Sequence, residues 1–344
     1  MRLPLLAPLA PDRPFDVIAL GLNSLDIVAV IPHHPVAGGK TRIERLATLP
    51  GGQSASAAVG CARLGWKTQY IGAFGDDDAA RIGIESLERD DVDTSLVRRV
   101  RGATSHTSLV LVDVRSGDRT VIWHRDPRLA MSAADVPVGA IGRGRVLLVD
   151  DHEPLAATVA ARAAREATVR TVIDVEKLRP GTEELLQHID IIIAAEAFPS
   201  ELTGLPDLGA ALREMARRFE PAHICATLGP KGSLSLVDGK EVRTPAFDVH
   251  VEDTTGAGDA FRAGFISGWL KAGDDPNVHD EDTTGAGDAF RAGFISGWLK
   301  AGDDPNVHDV LRYAHGVAAL NCRGLGARDA LPRPDEVDEL IRRG

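Results

Sequence analysis

The chain has 344 residues, of which 44% are hydrophobic and 26% charged, and it carries a net charge of −11 at pH 7. That length and apolar content support a sizeable core, built as one large domain or a domain with an appendage. An acidic balance without Lys/Arg blocks argues against nucleic acid or an anionic membrane as the main partner. Three scattered cysteines (Cys61, Cys225, Cys322) make no disulfide framework and point to a reducing, cytoplasmic setting. No apolar run approaches the ~20 residues needed to span a bilayer.

In chain order, "MRLPLLAPLAPDRP" (residues 1–14) is apolar but broken by prolines, and it reads as a flexible tail. "FDVIALGL" (Phe15–Leu22) reads as a buried strand, "SASAAVGCARLG" (Ser54–Gly65) as a small-residue helix stopped by glycine, and "KTQYIGAFG" as a returning strand. "DAARIGIESLERD" is helical, and "RVLLVDD", "RTVIDV", "IDIIIAA" and "HICATLG" are strand-like runs, each near a helical stretch. Strands alternating with helices predict a parallel sheet covered on both faces. Residues 25–48 and 105–125 instead alternate with period two, the second around a Ser-Gly-Asp turn, and these hairpin signals predict a small antiparallel lid. In α/β folds ligands bind beyond the carboxyl ends of the strands, where such a flap closes over them.

The segment "EDTTGAGDAFRAGFISGWLKAGDDPNVHD" occurs at 252–280 and again, unchanged, at 281–309. Each copy holds six acids and two bases, so one copy accounts for −4 of the net charge. In the first copy "FDVHV" (Phe247–Val251) reads as a strand leading into Gly256-Ala257-Gly258-Asp259, and a helix follows. Strand, glycine turn and helix start aim free backbone N–H groups and the positive helix end at an anion. Gly256 and Gly258 permit close approach of a phosphate. Asp259, in the first helical turn, is placed to take a proton from a hydroxyl attacking a phosphoryl group. A capped helix start is the plainer explanation of the same residues, and the stripe Phe261, Phe265, Trp269 is most simply helix core.

The neighbouring motifs decide between the two. "GGQSASAAVGCARLGWKTQYIGAFGDD" (Gly51–Asp77), "ATLGPKGSLSLVDG" (Ala226–Gly239) and "EDTTGAGDAF", in this order and approximate spacing, resemble the ribokinase-like (PfkB) carbohydrate kinase family from about Phe15 to the C-terminus. The resemblance implies a three-layer α/β sandwich with a mostly parallel central sheet and a small antiparallel β lid, in one domain over 15–344. It implies ATP-dependent phosphorylation of a primary hydroxyl of a sugar. Asp26, Gly52, Gln53 and Ser56 fall at the sugar-side positions, and Thr227, Gly229 and Gly232 match the turn beside the nucleotide. Gly256, Ala257 and Gly258 match the anion hole, and Asp259 the general base. Asp253 and Thr255 stand where members bind a monovalent cation such as K+. Members also dimerise through the lid.

Two departures stand out. Ser56 occupies a position where the family often has Asn. The Asn-x-x-Glu motif that helps organise Mg2+ falls at Ala195–Phe198, with Glu196 the remaining carboxylate beside it. Ketohexokinase-like and sulfofructose-kinase-like branches also depart there, which directs the substrate expectation toward a ketose. Mg2+ held mainly by ATP phosphates and water would suit its reluctance to dehydrate. A nucleoside kinase on the same scaffold, or a non-catalytic sugar- or nucleotide-binding protein impaired by the duplication, are the alternatives. "AGGKT" (Ala37–Thr41) is not a Walker A loop, because His34 stands where its first glycine belongs. "HRD" (His124–Asp126) lacks the Asn and the glycine-rich loop of protein kinases.

Only context distinguishes the copies. With Asp259 as the base, residues 281–309 form an excursion beyond the far end of the helix, where added loop costs only about 0.6 kcal/mol per doubling of length. With Asp288 as the base, the excursion begins at the mouth of the site and Asp280 replaces Val251 on the expected strand, an unpartnered acid penalised by desolvation. The first copy is therefore expected to work.

Overall fold

The structure, a computed structural model, describes residues 12–115, 119–237, 239–273 and 307–343. The second copy lies outside the described residues except for its last three, 307–309. The N-terminal part comprises β1 (Phe15–Leu20), β2 (Ser24–Ile31), β3 (Arg45–Gly51), α1 (Gln53–Arg63), β4 (Thr68–Ile71), β5 (Ala73–Phe74), α2 (Asp78–Arg89), β6 (Arg98–Arg99), β7 (Thr107–Asp113) and β8 (Arg119–His124). Then follow α3 (Val138–Ile141), β9 (Gly144–Asp150), α4 (Pro154–Glu166), β10 (Arg170–Val175), α5 (Thr182–Leu186), β11 (Ile191–Ala195), α6 (Phe198–Thr203), α7 (Leu208–Phe219) and β12 (His223–Thr227). The chain ends with β13 (Ser233–Val237), β14 (Lys240–Thr244), α8 (Ala257–Gly273), α9 (Val307–Asn321) and α10 (Pro334–Arg343).

Eight strands form one sheet in the order β14-β13-β12-β11-β10-β9-β1-β4. Those from β12 to β4 run parallel, and the β13–β14 hairpin closes one edge antiparallel. Alternation along the strands divides the core into two layers. Val17 and Ala19 of β1 face α1, α8 and α9, whereas Ile18 and Leu20 face α4 to α7. The stripe Phe261, Phe265, Trp269 is buried in the first layer, each side chain contributing about 1.5–3 kcal/mol by leaving water. The helix pair α8–α9 sits close because Gly264 lets Ala314 approach: an added Cβ would lie 2.8 Å from its Cα.

Two antiparallel hairpins, β2–β3 and β7–β8, join through a parallel β2–β7 pairing into a second sheet, β3-β2-β7-β8. One face covers Leu325 through Val28, Val110 and Val112. All three cysteines are buried free thiols. Among the described residues no helix is long and apolar enough to cross a membrane.

One expectation is overturned. Phe247–Val251 is not a strand. Its alternation mimics one, but it pairs with no described strand, and β14 remains the edge of the sheet. It crosses instead towards α8, with Phe247 under the Arg312 guanidinium and Glu252 N–H bonded to the Cys322 carbonyl at 2.8 Å. Val251 is 50% exposed, so the desolvation argument against Asp280 at that place in the second copy loses its basis.

Candidate active site

The residues singled out from sequence gather where the parallel strands end. After β1 the chain turns into β2, which carries Asp26. Its carboxylate is buried, held by Ser24 and Ser108, and pushed up from its ordinary pKa by burial. It lies directly over Gly51, where an added Cβ would come within 2.1 Å of Oδ2. Gly52 precedes α1 at φ +94, and a side chain there would collide with the Asn23 backbone at 2.3 Å. Asp150, at the end of β9, completes this turn by accepting from Leu22 N (2.7 Å), Ser54 Oγ (2.7 Å) and Ser54 N (3.3 Å). That places a carboxylate at the positive start of α1. Both polar atoms of the Gln53 side chain are buried without a hydrogen-bond partner.

Ser56 is fully buried, and its hydroxyl accepts from Arg328 Nε at 3.2 Å. Arg328 also donates to the Gly51 carbonyl (2.5 Å) and to Ser86 (3.3 Å). Burial lowers its pKa to about 10, and its charge acts on both Asp26 and Asp259. Sequence reasoning missed this residue, although a lone arginine in the glycine- and alanine-rich "GLGARDAL" was a usable signal. It also missed Asp150.

The first copy of the repeat supplies the second half of the site. Asp253 is buried and shapes the turn: Oδ1 accepts from Thr255 N and Oγ1 (both 2.8 Å), and Oδ2 from Gly326 N (2.8 Å). Gly256 has φ +74, and an added Cβ would lie 2.6 Å from the Ala327 Cα. α8 starts immediately afterwards at Ala257, Gly258 and Asp259, so its first amides lack intrahelical partners. Asp259 is buried, and burial raises its pKa to about 7 against the opposing pull of the Arg262 guanidinium. A carboxyl group with that pKa is balanced between accepting and releasing a proton at neutral pH.

Thr227 ends β12, and Gly229 and Gly232 form the turn that leads into β13. Leu228 N donates to the Gly232 carbonyl at 2.8 Å. Ser233, just beyond, shares a 2.8 Å hydrogen bond with His315 of α9, whose ring packs edge-on against Phe261 of α8. The turn is thereby tied to the helix that carries Asp259. Glu196 is 57% exposed and faces Lys231 at 3.7 Å.

The donor set does not fit a protein-held Mg2+. Phe198 is wholly buried where the motif's Glu would stand, and among the described residues no group of three or more His, Cys, Asp or Glu side chains is arranged to hold a metal. Asp253 and Thr255 fit a monovalent cation better, as a buried carboxylate that among its hydrogen bonds has only neutral donors.

The pfkB family carbohydrate kinase model matches residues 15–278 and 276–334. A fructokinase from Klebsiella pneumoniae is 32% identical over 251 residues, covering 68% of this chain and 81% of its own length. A ribokinase from Bacillus subtilis is 25% identical over 334 residues, 95% of this chain and 99% of its own. Among solved structures, Arabidopsis thaliana ribokinase complexed with ribose and ATP superposes with a TM-score of 0.74 at 23% identity, covering 95% of this chain and 99% of that one. The match over nearly the whole chain, with the two-sheet architecture, places this protein in the pfkB family: it is a carbohydrate kinase of ribokinase-like fold.

Proposed function

We propose that the protein transfers the γ-phosphoryl group of ATP to a primary hydroxyl of a ketose, with Asp259 as general base. The observation that carries this reading is a buried carboxyl group in the first turn of α8, directly after a glycine turn at positive φ. Asp259 accepts the hydroxyl proton as the acceptor oxygen forms its bond to the γ-phosphorus. The bond to the β-phosphate oxygen breaks, and its electron pair leaves with ADP. The amides around Gly256, Ala257 and Gly258 meet the developing negative charge.

Asp26 binds sugar hydroxyls, and Gln53 meets them with its two unpartnered polar atoms, while Gly52 and Ser56 shape that turn. Thr227, Gly229 and Gly232 border the nucleotide. Glu196 stands near the nucleotide turn, outside any closed metal shell, and Mg2+ carried on the ATP phosphates would supply charge neutralisation there. K+ is assigned to Asp253 and Thr255. The ketose assignment draws on the similarity to a fructokinase, the relative at 32% identity.

The second sheet acts as the lid over the acceptor, over about 25–48 and 105–125, and as a homodimer contact. Register places Leu46, Leu109 and Ile122 on its outer face, where all three are exposed. Such an apolar sheet face needs a cover, and a second copy of the chain supplies it.

The test is ATP-dependent phosphorylation measured across fructose, other ketoses, ribose, aldohexoses and nucleosides. Highest kcat/KM on a ketose is expected. Ribose or a nucleoside as best substrate would overturn the ketose assignment, and full activity retained by an Asp259→Asn, Asp288→Asn double variant would overturn the chemistry.

A further inference from the structure

Arg262 lies one helical turn after Asp259 and is among the most buried side chains of the chain, only 2% exposed. An arginine is expensive to bury without partners. Nη2 forms an ion pair with Asp174 at the end of β10. Nη1 stands 3.7 Å from Asp259 Oδ1 and makes no hydrogen bond, and neither does Nε. The guanidinium also lies against the glycine turn: a Cβ on Gly258 would come within 2.3 Å of Nη1. Gly258 thus makes room for Arg262 from below.

We propose that Arg262, itself held in place by Asp174, is a positioning residue that orients the Asp259 carboxylate and supports the Gly258 turn from beneath. The inference rests on the reading of Asp259 as general base. Nη1 engages Oδ1 of the ionised carboxylate and leaves Oδ2 directed at the acceptor hydroxyl. Asp174 anchors the guanidinium from the sheet side, so the base is registered against β10 as well as against its own helix.

The charges that bear on Asp259 come from four elements: Arg262 on α8, Asp174 and Glu176 at the end of β10, Arg119 on β8, and Arg328 after α9. Of these, Arg262 gives the largest pull toward the ionised form. Removing it raises the Asp259 pKa, so the acid limb of the pH profile moves to higher pH.

The experiment measures kcat/KM, kcat and both KM values from pH 5.5 to 9 for the full chain, Arg262→Met, Arg262→Lys, Asp174→Asn and the Asp174→Asn/Arg262→Met double variant. The double variant guards against misfolding, because it removes the Arg262–Asp174 pair as a unit and leaves no charge orphaned at position 174. The expected result is an acid limb displaced upward by about one unit in Arg262→Met, and in the double variant relative to Asp174→Asn alone. A kcat loss of at least tenfold should accompany it, with both KM values within about threefold and the limb substantially restored in Arg262→Lys. A limb in the folded double variant no higher than that of Asp174→Asn would overturn the inference. Its failure is distinguishable from failure of the base assignment: loss of activity in Asp259→Asn together with an unshifted limb sinks only the role of Arg262, whereas full activity in Asp259→Asn sinks the assignment on which that role rests.

Discussion

Replacing Asp259 by Asn should stabilise the protein at alkaline pH while abolishing its activity. Burial raises the Asp259 pKa from 3.8 to about 7. Between those values the native state holds a proton that the unfolded chain has released, so stability is greatest at low pH and declines as the pH rises through the folded pKa. A shift of that size corresponds to about 4 kcal/mol at pH 8, as a ceiling. Asn keeps the shape and carries no charge to desolvate, although Arg262 loses one partner. A relative gain of about 2–4 kcal/mol for Asp259→Asn should therefore develop between pH 4 and pH 8. Urea unfolding of both proteins at several pH values measures it. If the two unfolding midpoints move in parallel over that range, the carboxyl group is not held ionised against its environment at neutral pH, and the explanation of its reactivity fails.

Other consequences follow from the same geometry. Gly256→Ala combines a left-handed backbone angle with a 2.6 Å collision against Ala327; it should cost about 2–4 kcal/mol in denaturant unfolding and, by shifting the amides of the turn, about 100-fold in kcat. Arg328→Met removes three hydrogen bonds around Gly51, Ser56 and Ser86; stability should fall by about 3 kcal/mol, and steady-state kinetics should show the sugar KM rising more than the ATP KM. Leu109→Asp charges the outer lid face, and sedimentation should show a monomer against the dimer proposed for the unsubstituted protein; an equal mass for the two would remove the lid from the assembly. Asp253→Asn should flatten the response of the rate to added K+ relative to Na+, and an unchanged K+ dependence would vacate that assignment.

Local pattern carried most of the fold. The β-branched runs from Val17 to Ala226 announced their strands because a strand buried on both faces must be apolar throughout. The Gly256–Asp259 turn was legible because a tight helix entry needs glycine and an acid at set positions, and Gly52 was legible for the same reason. Phe247–Val251 misled because alternation reports two-sidedness, not whether a segment pairs with a neighbouring strand. Arg262, Arg328 and Asp150 escaped notice because their partners are remote in sequence: Arg328 meets Gly51 and Ser56, Arg262 meets Asp174, and Asp150 meets Leu22 and Ser54. No spacing rule connects such pairs. The twofold choice between repeat copies was likewise invisible locally, since identical residues have identical propensities.

The most direct measurement is the rate of phosphoryl transfer by Asp259→Asn and by Asp288→Asn, compared on one sugar under saturating ATP. The proposed chemistry predicts a loss of about 100- to 10,000-fold in the first, the range for a lost general base, and a rate within twofold of the parent in the second. The reverse pattern would move the working base into the second copy, and full activity in both variants would contradict the proposed role of either carboxylate taken alone.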